Sequence, residues 1–420
     1  MNLLLVNPNK FQNPPVIPVG LEYLKTALEK YNYNVEILDL CFSNTPREDL
    51  DKILKKKSFD LVGLTIRNID SANYYNNQFF LADFKPLVMC VKEHKIPVVL
   101  GGSGFSAMPD EILEYLNADY GITGPGEIIF PKFLELWQSN NITQKILDGW
   151  EVGVDKQLIY LRGNNFDYPK YLKEEGIVGF RTHIGCSNQC PYCTEANTRV
   201  QFGDISNIVE ELAHLVNKGY HHFHTCDSEF NTNLKFSRDF CLALVERNLD
   251  MKWAVYMKPI PYNEDFFKYL HESKAYLITL TVDSDKRIQT LNKYNYDDLV
   301  QIVKFSKKYD IKLAIDLSVG YPNESLKSVK YVIEFLRNHR PFTVGVNSIY
   351  RIYNNTSLAA LINKNPLLQK NLTKPFKSSE KFLEPIYYNQ IPREKLEELI
   401  SKDDLFKIAG INLGVNYQLI

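Results

Sequence analysis

The chain has 420 residues, room for two or three domains, and its 45% hydrophobic and 24% charged residues describe an ordinary globular protein rather than a disordered or fibrous one. A formal net charge of −1 shows no basic excess pointing to nucleic acid and no acidic tail. No stretch approaches the roughly 20 apolar residues of a membrane helix. The opening apolar run, 3–6, is stopped by Asn7 and Pro8 before it reaches the length of a signal-peptide core, so a cytoplasmic protein is expected.

Along the first 140 residues, short strands are expected at 3–6, 35–38, 61–65, 98–100 and 120–123. Leu21, Leu24 and Leu28 recur at helical spacing within 19–31, and helical patterns fill 87–93, 111–116 and 128–137. Strand and helix in alternation predict an α/β fold with a doubly wound parallel sheet over 1–140, which binds ligands at the carboxyl ends of its strands. Turn residues at Asn140-Asn141, Gly163-Asn164-Asn165 and Tyr168-Pro169 mark 141–175 as a linker. A second alternation covers 176–352. Its strands are expected at 177–181, 221–225, 253–255, 276–282, 313–319 and 344–348, and its helices at 205–217, 237–247, 266–271, 297–309 and 326–338. Six β–α units in series predict a partial parallel (β/α)6 barrel with its active site at the carboxyl ends of the strands. Residues 353–420 read as a small helical appendage.

Seven cysteines without a signal segment argue against a disulfide framework. Three of them fall in Gly185-Cys186-Ser187-Asn188-Gln189-Cys190-Pro191-Tyr192-Cys193, a C-x3-C-x2-C run after a strand at the predicted barrel mouth. Three close thiolates can hold three corners of a [4Fe–4S] cube and leave the fourth iron open. The competing arrangement is a closed zinc site in which His183 supplies a fourth ligand. Cys226 and Cys241 are expected to be buried small apolar residues. In the strand 221–225, His222 and His224 share a face and are expected to be structural or to line the substrate site rather than to bind metal.

This spacing, with an aromatic residue directly before the last cysteine, resembles the radical SAM superfamily. The resemblance implies that Cys186, Cys190 and Cys193 ligate the cluster, that S-adenosylmethionine binds the open iron, and that Tyr192 lies near the adenine. Further segments follow in the order of that family. Asp227-Ser228-Glu229-Phe230-Asn231 stands where relatives often have Gly-Gly-Glu; the glycines are absent, Glu229 is the residue it offers for the amino group, and Asn231 is a further cofactor-binding candidate. Asp283, in Val282-Asp283-Ser284-Asp285, would accept hydrogen bonds from the ribose. Gly320-Tyr321-Pro322-Asn323-Glu324-Ser325 resembles the turn after the fifth barrel strand. Arg351, in Arg351-Ile352-Tyr353-Asn354-Asn355-Thr356, resembles the cofactor-side segment after the sixth.

The first domain is similar to the Rossmann-like cobalamin-binding domains that accompany some members of the superfamily. Pro18-Val19-Gly20-Leu21-Glu22-Tyr23-Leu24 looks like the opening of their first helix. Gly101, Gly102 and Ser103 after the fourth strand, Ser106 beyond them, and Gly124, Gly126 and Glu127 after the fifth are the residues that the resemblance assigns to cobalamin. Here the structural alternative is that these glycines only make tight turns. No Asp-x-His-x-x-Gly motif offers a histidine to cobalt. The loop after the third strand carries Arg67 instead, and relatives of the tryptophan methyltransferase type place an arginine there, at the lower face of cobalt. A loop ion pair of Arg67 with Asp70 is the plain alternative.

The resemblance implies a methyltransferase that moves a methyl group from S-adenosylmethionine, through cobalamin, to a carbon of a small-molecule or peptide-derived substrate. It leaves open whether S-adenosylmethionine is also cleaved to a radical. A low-potential reductant such as flavodoxin or ferredoxin is the implied partner, with neither nucleic acid nor membrane. Non-methylating rearrangement or cyclisation, a non-catalytic redox-sensing iron–sulfur protein, and an RNA-modifying enzyme are the competing readings. The near-zero net charge argues against the last.

Overall fold

The computed structural model describes residues 1–374 and 382–416. The chain divides into two compact units. The first comprises 1–71, 77–179 and 201–219; the second comprises 72–76, 180–200 and 220–420.

The first unit is built on a parallel sheet of order β2-β1-β3-β4-β5-β6. Its strands are β1 (Asn2–Asn7), β2 (Asn34–Asp39), β3 (Leu61–Thr65), β4 (Val98–Gly101), β5 (Tyr120–Thr123) and β6 (Ile146–Asp148). β1 pairs with β2 on one side, Leu3 opposite Val35, and with β3 on the other, Leu3 opposite Leu61. Leu3, Leu4, Leu5 and Val6 are each at most 1% exposed, which is why β1 reads as an unbroken apolar run rather than an alternation. Two glycines permit close packing. A Cβ on Gly121 would lie 2.2 Å from the Phe105 ring, and one on Gly63 would lie 2.8 Å from Leu5. The strand order reverses between β1 and β3, and in such sheets the crevice at that switch point is where ligands bind.

The segment 141–175, expected as a linker, counts with this unit and holds structure of its own. β6 extends the sheet, Gly121 opposite Ile146. The pair Tyr168-Pro169, read as a turn, opens the helix Tyr168–Lys173 instead. Asp167 caps that helix and Pro169 occupies its first turn, where no amide hydrogen is needed. The helix Ile205–Asn217, expected to belong to the barrel, also counts with the first unit.

The second unit is a parallel sheet of order β17-β14-β13-β12-β11-β10-β7. β7 is Val178–Phe180, followed by two-residue strands β8 (His183–Ile184) and β9 (Gln201–Phe202). Then come β10 (His222–Thr225), β11 (Lys252–Met257), β12 (Ala275–Asp283), β13 (Lys312–Ser318) and β14 (Thr343–Asn347). Short strands β15 (Tyr350–Arg351) and β16 (Tyr387–Tyr388) pair antiparallel, and β17 (Phe406–Ile408) is the last. The six expected barrel strands are present in serial order. The stretch 353–420 has the helices Ser357–Asn363, Pro366–Gln369 and Arg393–Ile400, and it also returns β17 to the sheet beside β14, Val344 opposite Phe406. Helices start where the sequence places cap residues: Asn233, Asn263, Ser325 and Thr356 each accept a backbone N–H with the side chain, and Asn295 with Asp298 forms a full capping box. Under the first barrel strands, Phe180, Phe223, Phe230, Phe240 and Trp253 pack ring against ring at 5.3–6.3 Å, and the Trp253 indole donates to Ser273 O at 2.8 Å. Among the described residues no helix is long and apolar enough to cross a membrane.

Candidate functional site

In the second unit the cysteine run leaves the barrel as a loop whose shape is set by backbone constraints. Gly185 has φ +81°, and a Cβ on it would lie 2.2 Å from Arg199 O, so only glycine lets the two strands of the loop approach. Cys186 N donates to Thr198 Oγ1 at 2.9 Å, and Thr198 N returns a bond to Cys186 O at 3.0 Å. Asn292 clasps the middle: its Nδ2 lies 3.4 Å from Cys190 Sγ, and its Oδ1 accepts from Gln189 N at 3.0 Å. Pro191 O accepts from Leu358 N at 2.8 Å.

Three thiols in one short loop suit a cluster that keeps one iron open. Four ligands around one zinc would bring sulfurs to within about 3.8 Å of one another, given Zn–S bonds of about 2.3 Å. Among the described residues the three thiols do not form a group lying within 4.8 Å of one another, with or without a histidine. His183 is directed elsewhere. Its backbone N donates to Asp227 Oδ1 at 3.1 Å, its Nδ1 lies 3.7 Å from Asp227 Oδ2, and Thr182 binds the same carboxylate. Burial pushes the Cys186 thiol up to about 11 and also raises Cys190 and Cys193. Such thiols stay protonated until a metal centre binds the sulfur and displaces the proton to solvent.

Beside Cys190 opens a small, narrow pocket with a cavity volume of about 20 Å³, lined among others by Glu229, Lys258, Asp283, Asn292 and Tyr294. Glu229 is buried; its Oε1 lies 3.5 Å from Asn188 Nδ2, and its Oε2 has no hydrogen-bond partner among the described residues. Burial raises its carboxyl to about 8, with Lys258 pulling the other way. An unmatched buried carboxylate oxygen of this kind fits an ammonium group. Lys258, just past β11, donates to Ser187 Oγ at 2.9 Å, and burial lowers its pKa. Asp283, at the end of β12, accepts the Tyr192 hydroxyl at 2.7 Å, and burial raises its carboxyl to about 7. The Tyr192 ring packs 5.2 Å from that of Tyr350.

Two expected contact residues are committed to backbone. Asn231 is fully buried; its Nδ2 donates to Lys258 O and Pro261 O at 2.8 and 2.7 Å, and its Oδ1 accepts Lys258 N, so it shapes the loop that presents Lys258. Arg351 donates to Phe382 O and Leu383 O, each at 2.9 Å, and ties the C-terminal region to the barrel. In the Gly320–Ser325 turn, Glu324 folds back to accept from Gly320 N at 2.7 Å and from Ser284 Oγ at 2.6 Å. Lys258 and Asn292 were missed in the sequence. The signal for Lys258 was a cation directly after an apolar strand, at the barrel face where ligands bind.

His222 contacts the Tyr276 hydroxyl, and burial lowers its pKa to about 4. His224 is buried against Tyr256, ring centroids 4.9 Å apart. Neither belongs to a metal-binding group among the described residues. Cys241 is buried, as expected. Cys226 is exposed, contrary to expectation: it lies one residue past β10, on the side opposite buried Thr225, where its backbone N bonds Phe180 O.

In the first unit the loops at the carboxyl ends of β3, β4 and β5 are bonded to one another. Gly102, at φ +99°, would carry a Cβ 2.7 Å from Ile66 O, and Gly104 would carry one 2.9 Å from the same atom. Ser103 Oγ donates to Arg67 O at 2.9 Å. Ser106 Oγ donates to Gly102 O at 3.0 Å and accepts from Gly124 N at 2.9 Å. Gly124, at φ +67°, lies against Trp150. The structure thus brings together Arg67, Gly101, Gly102, Ser103, Ser106 and Gly124, with both serine hydroxyls engaged in holding the loops. Gly126 follows with Leu24 against it, and Glu127 is buried. The sequence reading missed Asn9, two residues past β1. It is buried, and its Nδ2 has no hydrogen-bond partner among the described residues, so it leaves a donor for a ligand at the switch point.

Residues 13–134 match the B12 binding domain family, and residues 181–336 match the Radical SAM superfamily. A tryptophan 2-C-methyltransferase of Streptomyces laurentii is 24% identical, over 79% of this chain and 69% of that protein. The structure of the radical S-adenosylmethionine methyltransferase TsrM from Kitasatospora setae, with cobalamin and a [4Fe-4S] cluster bound, superposes with a TM-score of 0.88. It is 22% identical, over 97% of this chain and 92% of that one. The same protein with tryptophan substrate and a SAM analog bound also gives 0.88, at 23% identity over 99% and 93%.

Proposed function

This chain is a B12-binding radical SAM protein, and from that premise we propose that it is a methyltransferase carrying a methyl group from S-adenosylmethionine through cobalamin to a carbon of a small-molecule or peptide-derived substrate. When bound, the cluster, S-adenosylmethionine and cobalamin supply the electron and methyl transfers; the protein binds, orients and excludes water.

The observation that carries the reading is the pocket beside Cys190, where three cysteines of one short loop adjoin a buried carboxylate oxygen that has no hydrogen-bond partner among the described residues. Cys186, Cys190 and Cys193 hold the cluster. Glu229 Oε2 accepts the amino group of S-adenosylmethionine, and Lys258 meets its carboxylate. Asp283, oriented by Tyr192, takes the ribose, while Tyr192 and Tyr350 form the aromatic wall toward the adenine. In the first unit, Asn9 and the Gly101–Ser106 and Gly124–Glu127 segments border the cobalamin. Arg67 lies in the loop that would meet the cobalamin and, as a guanidinium without a lone pair to give, would not serve as a ligand to its metal.

The test is anaerobic reconstitution followed by turnover of methyl-labelled S-adenosylmethionine, with tryptophan as the first substrate assayed and reduced flavodoxin or ferredoxin as electron donor. About four irons and one cobalamin per chain, with label in a methylated product, are expected. Cobalt-free protein that still cleaves S-adenosylmethionine would overturn the cobalamin assignment of the first unit, and 5′-deoxyadenosine formed without label transfer would replace methylation by a rearrangement.

A further inference from the structure

We infer that the first unit carries a zinc-type metal site of Asp51, Cys90 and His94, separate from the cysteine trio and from the loops assigned to cobalamin. Cys90 and His94 are one helical turn apart at the end of the helix Phe80–Glu93, so their side chains share a face. Asp51 reaches them from the neighbouring helix Pro46–Lys56. One ligand atom from each, a sulfur, an imidazole nitrogen and a carboxylate oxygen, lies within 4.8 Å of the others.

A tetrahedral zinc with bonds of about 2.0–2.3 Å sets its ligand atoms about 3.3–3.8 Å apart. His94 Nε2 and Asp51 Oδ1 already stand at 2.8 Å, and small side-chain rotations open that pair and draw in the sulfur. The surrounding groups orient the ligands as a supporting shell does. Lys55 Nζ holds the other Asp51 oxygen at 2.5 Å and leaves Oδ1 for the metal. Arg47 is drawn aside by Glu93, whose two oxygens it meets at 2.9 and 2.7 Å. Cys90 is fully buried while His94 and Asp51 are part-exposed, so the sulfur forms the closed end and the fourth position opens to water. Binding replaces the thiol proton, which passes to solvent, and the His94–Asp51 hydrogen bond. The ion then joins the two helices through three protein ligands and keeps its fourth position for water.

The test uses protein whose cluster and cobalamin are already loaded, so that the trio is occupied. It is washed with chelator and titrated with zinc chloride. We expect one further zinc per chain, a zinc absorption-edge spectrum with a single sulfur among nitrogen and oxygen neighbours, and at least about tenfold weaker binding in His94→Ala and in Asp51→Asn. Both substituted residues are part-exposed, so folding survives and the comparison stands even where Cys90→Ala does not fold. No added zinc in the wild-type protein, a shell of three sulfurs, or unchanged affinity in both variants would overturn the site.

Discussion

At the scale of single residues, the cysteine loop depends on Gly185 as much as on its thiols. Gly185→Ala puts a methyl group 2.2 Å from Arg199 O in a left-handed backbone position that already costs a non-glycine residue about 1–2 kcal/mol. We expect this variant to lose most of its iron on reconstitution, while Cys226→Ser, at an exposed thiol, keeps its full complement. Glu229 gives a signed pH dependence in cofactor-free protein. Its folded-state carboxyl, raised to about 8, binds a proton that the unfolded chain has released, so this group's contribution to stability is complete below about pH 4 and is lost as pH rises toward 8. Glu229→Gln should flatten that part of the melting-temperature profile between pH 5 and 8. An identical slope in wild type and variant would place the shift elsewhere, with Asp283 the next residue to replace.

At the scale of elements, the helix Ile205–Asn217 is anchored by a buried charge cluster within the first unit. Arg162, 1% exposed, donates through Nε to Glu211, lies 3.6 Å from Glu22, and shares these carboxylates with Tyr23 and Tyr168, whose hydroxyls donate at 3.0 and 2.6 Å. Arg162→Ala leaves two buried carboxylates without their cation, and a loss of about 3–5 kcal/mol is expected in denaturant unfolding. Elements with strong periodicity or long apolar runs were legible beforehand: all five expected strands of the first sheet, the six of the second, and the cysteine loop that follows the first of those six. β6 and β17 were not: both are three-residue edge strands whose apolar run is broken by a polar residue, Asp148 and Lys407, whereas the equally short β7 is buried throughout. The helix at Tyr168 was hidden by a proline that marks a turn or a first helical turn with equal force. The roles of Asn231, Ser103 and Ser106 could not be read either. Each serves backbone atoms tens of residues away or across a loop, a pairing that exists only once the sheets have formed.

At the scale of the whole molecule, each unit has its own set of residues proposed to face a cofactor, so the two loadings should separate. Gly102→Ala, with its methyl group 2.7 Å from Ile66 O, is expected to lower cobalamin content at least about tenfold in protein that still takes up iron. Replacing Cys186, Cys190 and Cys193 with alanine should abolish iron uptake in protein that still binds cobalamin, as measured by metal analysis and absorbance. Loss of both cofactors in both variants would mean that neither unit holds its ligand alone.

The first unit does not end where its sheet ends: it waits for residues 201–219, which carry Glu211, the counter-ion to Arg162. On the ribosome the segment from 180 to 219 takes roughly 2–8 s to synthesise at about 5–20 residues per second. During that interval Arg162 has emerged without one of its carboxylates, and the nascent cysteine loop is already outside with no barrel to cover it. Translation speed and timely capture by a chaperone or iron–sulfur carrier should therefore govern the yield of active protein more strongly than in a chain whose domains finish one after the other.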